Sequence, residues 1–226
     1  MPNDIVYVIG PQTDPAELTY SLRSVEKNFP HRYVWIVGSL PKGIKPDRYI
    51  HHDQVGRNKW DLIKSSMFRI VKESELTEDF FWFNDDFFIM KPVKGEWTNY
   101  CDGTLEHRVQ ELHSEGMSPY CRSLYKAEQE LMALGAPTMN YDVHLPMLFS
   151  KSKIGCINYC ASPQMRSVYG NLTASPYVIH SDVKVHGYDE CPEDPDYLST
   201  NEDTFRNGKA GALIRATFTK PSRFEV

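Results

Sequence analysis

Phe80-Phe81-Trp82-Phe83-Asn84-Asp85-Asp86-Phe87-Phe88 sets three polar side chains inside a strongly apolar run. Burying an unpaired carboxylate is very costly, so these groups must meet water, hydrogen-bond donors or a cation. The apolar flanks read as strands, Phe80 to Phe83 and Phe87 to Met90, which puts the acids at a strand end. Two adjacent acids there, Asp85 and Asp86, can hold a hard divalent ion that also binds diphosphate oxygens. The competing reading is a plain turn, in which Asn and Asp bond their own backbone. The flanking aromatic strand and the strand-end position favour the ion.

Upstream of this stretch, strand and helix signals alternate. Asp4 to Ile9 (DIVYVI) is a short apolar run closed by Gly10-Pro11 and reads as a buried strand. Asp14-Pro15 offers a helix N-cap and a proline at the first helical position. That helix runs through Leu18, Leu22 and Val25 and stops near Asn28 to Pro30. Tyr33 to Val37 reads as a second strand closed by Gly38, and Tyr49 to His51 as a weaker third. Lys59 to Lys72 has a roughly helical period. This rhythm predicts an α/β fold with a mostly parallel sheet flanked by helices. Ligands of such sheets gather beyond the carboxyl ends of the strands, where Gly10, Gly38 and Asn84 to Asp86 lie.

The second half is less regular. Ser118 to Leu134 reads as helix, and Asn140 to Ser150 as an apolar segment interrupted by proline. Asp182 to Ser199 is rich in Asp, Glu and Pro and reads as loop, and Thr204 to Phe224 gives mixed signals. No repeat or linker stands out. The expectation is one domain, 1–226, with halves at 1–95 and 96–226.

Composition narrows the function classes. A 41% hydrophobic fraction supports a real core rather than a disordered chain. The net charge of −5 gives no electrostatic footprint for nucleic acid, so none is expected as a partner. No apolar run approaches the ~18 residues of a membrane span. The opening Met1-Pro2-Asn3-Asp4 lacks a basic stretch followed by an apolar one, so the expected location is cytoplasmic, with the five cysteines as free thiols. Asn171-Leu172-Thr173 fits a glycosylation sequon, read in that setting as chance.

Several motifs together resemble the Stealth family, which includes capsular polysaccharide phosphotransferases and the lysosomal-enzyme sugar-phosphotransferase. Asp4 to Val8 with Ser21 to Lys27 is similar to the family's first conserved stretch. Phe81 to Phe88 with Lys91-Pro92-Val93 is similar to the second. His144-Leu145-Pro146-Met147 resembles the third, Thr200 to Asp203 loosely resembles the fourth, and Pro221 to Glu225 resembles the usual end. The resemblance implies one catalytic domain with a GT-A-like core, a nucleotide-sugar-binding half at 1–95, an acceptor half at 96–226, and Asp86 as principal metal ligand. It also implies that His144 and Arg166 act at the reacting phosphate. Where the family has a glutamate before Arg69-Ile70, this chain has Lys64, which can pair with a phosphate instead.

The residues add their own readings. If Tyr141 to Pro146 is extended, Asp142 and His144 share a face, and the carboxylate can orient the imidazole as a general base. Arg166 offers a planar fork for phosphate oxygens. Asn84 and Asp85 flank the ion, and Arg57, Asn58 and Lys59 sit where a helix start can attract the donor's anionic nucleotide. His180, Asp182 and His186 are candidates for a third metal ligand. The expected reaction is metal-dependent (Mn2+ or Mg2+) transfer of sugar-1-phosphate from a nucleotide diphosphate sugar to a glycan or other acceptor hydroxyl. Two alternatives stay open: a glycosyltransferase that releases a nucleoside diphosphate, and a non-catalytic sugar-nucleotide or glycan-binding protein.

Overall fold

A computed structural model describes residues 2–11, 13–53, 59–113 and 116–226. The chain divides into two compact units. The first holds Met1–Glu96, His144–Pro146 and Val183–Val226, and the second holds Trp97–Val143 and Met147–Asp182. The expected single half at 96–226 is corrected, because the C-terminal stretch returns to the first unit to complete a sheet there.

The first unit opens with strand β1 (Asp4–Ile9), helix α1 (Pro15–Asn28), β2 (Val34–Gly38), β3 (Arg48–His51), helix α2 (Lys59–Ile70), β4 (Asp79–Phe83) and β5 (Phe87–Ile89). Each follows from its local sequence. The β1 run is almost wholly buried, as a strand covered on both faces must be. Asp14 caps α1 by accepting from the Ala16 N–H at 2.9 Å, with Pro15 in the first turn. Gly38 ends β2 with φ 107°, a conformation open to glycine. The strands pair in the order β3-β2-β1-β4, all parallel. Tyr7 of β1 stands level with Phe83 of β4, the last residue before Asn84. The expected mostly parallel sheet flanked by helices is what the chain forms.

Asp4 sets that register. Its carboxylate is fully buried and accepts five hydrogen bonds. Arg32 gives two (2.8 and 2.7 Å), the Trp35 indole one (3.0 Å), and the Tyr33 and Thr77 N–H groups one each (3.2 and 3.1 Å). One side chain thus ties the start of β1 to the start of β2 and to the entry of β4.

The second unit contains β6 (Asn99–Cys101), α3 (Leu105–His113), α4 (Pro119–Ala133), β7 (Met147–Ser150), a 3-10 turn (Lys151–Tyr159), α5 (Met165–Leu172) and β8 (Tyr177–Ile179). Ser118 caps α4 through the Cys121 N–H at 3.1 Å. Strands β6 and β8 pair in parallel. Asn171 of the sequon is buried, and its amide bridges Met139 on both sides (2.9 and 2.8 Å). It is a packing residue rather than a site for a sugar chain.

The first unit then resumes with β9 (Lys184–Val185), β10 (Tyr197–Thr200), α6 (Glu202–Asn207) and α7 (Lys209–Thr217). The loop expected over Asp182 to Ser199 is corrected here: it contains β9 and most of β10. β10 runs antiparallel to β5 and parallel to β9. Such short strands persist because each supplies the other's backbone partners. The opposite edge of β5 is served by α1. Ser21 donates to the Phe87 carbonyl (2.6 Å), Ser24 accepts from the Ile89 N–H (3.1 Å), and Asn28 donates to the Ile89 carbonyl (2.6 Å). Phe88, Leu198, Phe205 and Ile214 close a small core behind this sheet.

Removing one partner of a buried ionic group leaves the others unsatisfied, at a cost of about 3–5 kcal/mol. Asp4→Ala should therefore lower the unfolding free energy of the first unit by about that amount in a urea titration. A loss below about 1 kcal/mol would show that the node does not hold the strands.

Candidate active site

The Asn-Asp-Asp segment is a turn between β4 and β5, closed by a 3.4 Å hydrogen bond from the Phe87 N–H to the Asn84 carbonyl. The turn geometry of the competing reading is present, but its side chains are only partly exposed. The Asp86 side chain is only 14% exposed and pairs with the Lys184 ammonium at 2.5 Å through Oδ2. Its other oxygen, Oδ1, is buried with no hydrogen-bond partner among the described residues. Burial, reinforced by the charge of Asp86, pushes the Asp85 carboxyl up to about 6.

A third acid joins them. Glu17 in the first turn of α1 is buried and accepts a hydrogen bond from the Thr200 hydroxyl at 3.2 Å. Burial first, then the charges of Asp86 and Asp85, push its carboxyl up to about 8, while Thr200 and Lys184 pull the other way. Glu17 and Lys184 are the residues the sequence reading missed. Asp14 and Glu17 have the spacing of a helix capping box, a local role that hides the long-range one. Lys184 sits in a stretch that reads as loop, and no local signal marks it.

The other candidates fall in both units. His144 belongs to the first unit, and its ring meets the edge of Phe87, the residue after Asp86, at 6.2 Å between centroids. Asp142 belongs to the second unit and accepts from the Tyr120 hydroxyl at 2.8 Å. The chain bends over 143–145, so the extended stretch that would put Asp142 and His144 on one face is not formed. Arg166 is buried in the first turn of α5, in the second unit. Lys64 lies half-buried on α2. Lys59 begins that helix, with its ammonium 5.2 Å from the Trp60 ring centre. Arg57 and Asn58 lie outside the described residues. His180 and Asp182 fall in the second unit and the exposed His186 in the first.

Among the described residues, no group of three or more His, Cys, Asp or Glu is placed to hold a metal. His180, Asp182 and His186 are not among such groups. An ion of the Mg2+ kind in nucleotide enzymes takes one or two carboxylates and fills its remaining positions with phosphate oxygens and water. The unpartnered Oδ1 of Asp86 beside Asp85 fits that second kind of site. Among the described residues no helix is long and apolar enough to cross a membrane.

No family model matches the chain, so the Stealth resemblance rests on the quoted residues alone. No curated protein matches it either. Among solved structures, the chain is similar to the glycosyltransferase GlyE of Streptococcus pneumoniae TIGR4, with 10% identity and a TM-score of 0.39. That likeness covers 96% of this chain and 50% of the GlyE chain, and it is too slight to bear on fold or function.

Glu17 predicts a pH dependence. A carboxyl whose folded value is about 8 and whose ordinary value is 4.5 keeps its proton in the folded state while the unfolded chain has lost it. Stability is then full below about pH 4.5 and declines as pH rises toward 8. Glu17→Gln should remove this decline and be more stable than the native chain by about 1–3 kcal/mol near pH 8, converging with it near pH 5. Parallel pH profiles for the two proteins in denaturant titrations would place Glu17 outside this buried cluster.

Proposed function

We propose that this chain transfers sugar-1-phosphate from a nucleotide diphosphate sugar to an acceptor hydroxyl, with the β4–β5 turn as the donor diphosphate site. The observation that carries this reading is the half-buried Asp86 just past the carboxyl end of a parallel strand, with one oxygen paired and the other buried without a hydrogen-bond partner among the described residues. Carboxyl ends of such strands are where ligands gather, and a buried carboxylate with an unmet lone pair calls for another cation or donor.

A divalent ion, Mn2+ or Mg2+, held by Asp86 with Asp85 and by the donor's phosphates would neutralise the diphosphate and the departing nucleotide. The chain's own groups do the rest. Asn84, in the same turn, would bind the donor beside the two carboxylates. His144 takes the proton from the acceptor hydroxyl. Its packing on Phe87, next in sequence to Asp86, supports a base that works beside the diphosphate. This favours attack on the phosphorus next to the sugar over attack on the anomeric carbon. The acceptor oxygen then bonds to that phosphorus, the bridging bond to the nucleotide's phosphate breaks, and a nucleoside monophosphate leaves. The reading uses residues of the first unit only.

A donor labelled at the phosphorus next to the sugar tests the reaction class. Phosphotransfer passes the label to the acceptor and releases a nucleoside monophosphate. Label found wholly in a released nucleoside diphosphate would establish glycosyl transfer instead, and donor binding without turnover would establish a binding protein. Asp86→Asn should abolish turnover in the folded protein, as should excess chelator.

His144→Ala should lower kcat by about 10²–10⁴-fold with little change in donor affinity, as loss of a general base does. A variant that unfolds without a separate kinetic defect would return His144 to a packing role.

A further inference from the structure

Lys184 is where the donor site and the fold meet. The residue lies in the two-residue strand β9, whose backbone is held by β10. Its ammonium reaches Asp86 Oδ2 at 2.5 Å, and both side chains are only 14% exposed. Three carboxyls, Glu17, Asp85 and Asp86, lie close enough for their charges to act on one another, and Lys184 acts on two of them besides pairing with Asp86. The ion pair satisfies half of Asp86 and leaves Oδ1 unpartnered. A second buried polar atom nearby is also unpartnered: the hydroxyl of Ser199, which stands across the ladder from both Lys184 and Phe87.

Both features suit a ligand more than a finished structural ion pair. Buried carboxylates retained for structure alone have their lone pairs filled, as Asp4 does with five donors. A dication on Asp86 would share one carboxylate with an ammonium that lies 2.5 Å from its Oδ2, and like charges on one carboxylate repel. The lysine stem is flexible and its charge compact, so the ammonium can turn to another anion while β9 stays in place. The diphosphate is the anion that arrives with the metal.

We propose that Lys184 is a donor-binding residue whose ammonium moves from Asp86 to the donor's diphosphate as Asp86 takes the metal. This rests on the reading of the β4–β5 turn as a diphosphate site. The exchange makes the metal and the diphosphate mutually dependent. The ion alone must displace Lys184 from Asp86 at the cost of that ion pair, and the diphosphate supplies a strongly anionic partner in its place. Metal and diphosphate should then bind more tightly together than singly, by the reciprocity that any coupled pair of ligands obeys.

The test measures Mn2+ binding alone, and inorganic pyrophosphate binding with Mn2+ present, for the native chain and for Lys184→Met, which keeps the stem and removes the charge. Lys184→Met should bind Mn2+ alone about tenfold or more tightly, because the competing ammonium is gone. It should bind pyrophosphate at least about 30-fold more weakly, because a buried charge partner is lost. Unchanged pyrophosphate affinity would overturn the proposal and leave Lys184 as a fixed neutraliser of Asp86. A native chain that binds neither probe would instead overturn the donor-site reading, and this one with it. Should Lys184→Met fail to fold by circular dichroism, Lys184→Arg decides. A guanidinium grips a carboxylate bidentately, so Mn2+ alone should bind about tenfold more weakly than to the native chain. Equal Mn2+ affinity in that variant would overturn the exchange.

Discussion

The buried carboxylate of Asp4 is the constraint on which the sheet depends. Strands covered on both faces are apolar throughout, so alternation of side chains cannot choose among registers. β1 and β4 are of this kind. A carboxylate that needs five donors does choose, because a slip of β2 would withdraw Tyr33 and Trp35, and a slip of β4 would withdraw Thr77. Each withdrawn donor leaves a buried polar group unpaired. The height of the acidic turn at the far end of β4 is therefore fixed at the near end of β1.

A second set of polar contacts carries this precision from the sheet to the turn. Tyr7 on β1 shares a hydrogen bond with Ser21, and Ser21 donates to the Phe87 carbonyl immediately after Asp86. Ser24 and Asn28 continue the row along α1 to Ile89. Three polar residues on the buried face of a helix are costly unless each is bonded, and here each meets a backbone group of the same short strand. Their spacing over one helix face is what lets a three-residue strand hold its line without a neighbour strand on that side.

Legibility followed range of interaction. β1, α1 with its Asp14 cap, β2 and the Asn-Asp-Asp strand end were all readable because apolar runs, N-caps and prolines act within a few residues. The acidic turn was recognisable as a candidate site from the cost of burying its carboxyls. Glu17 and Lys184 were not. Glu17 satisfies a local capping pattern, and its real partner, Thr200, is 183 residues away. Lys184 precedes a stretch rich in turn formers and owes its place to β10. The second unit's α3, β6 and β8 carry too little periodic signal over three to nine residues to stand out. The pairing of Asp142 with His144 failed for a related reason: alternation along a strand says nothing once the chain bends.

The return of β10 to β5 has a consequence for the order in which the protein can be made. β5 emerges from the ribosome with one edge already served by α1, but its antiparallel partner lies more than a hundred residues later in the chain. At translation rates of about 5–20 residues per second, that edge stays open for roughly 5–20 s. The second unit is synthesised in the interval, as an insertion into an incomplete sheet. Lys184 arrives with the same late segment, so the carboxyls of the turn spend that interval without their resident cation. The nascent sheet therefore has two debts, an open strand edge and an uncompensated acidic cluster, and one late strand pair settles both.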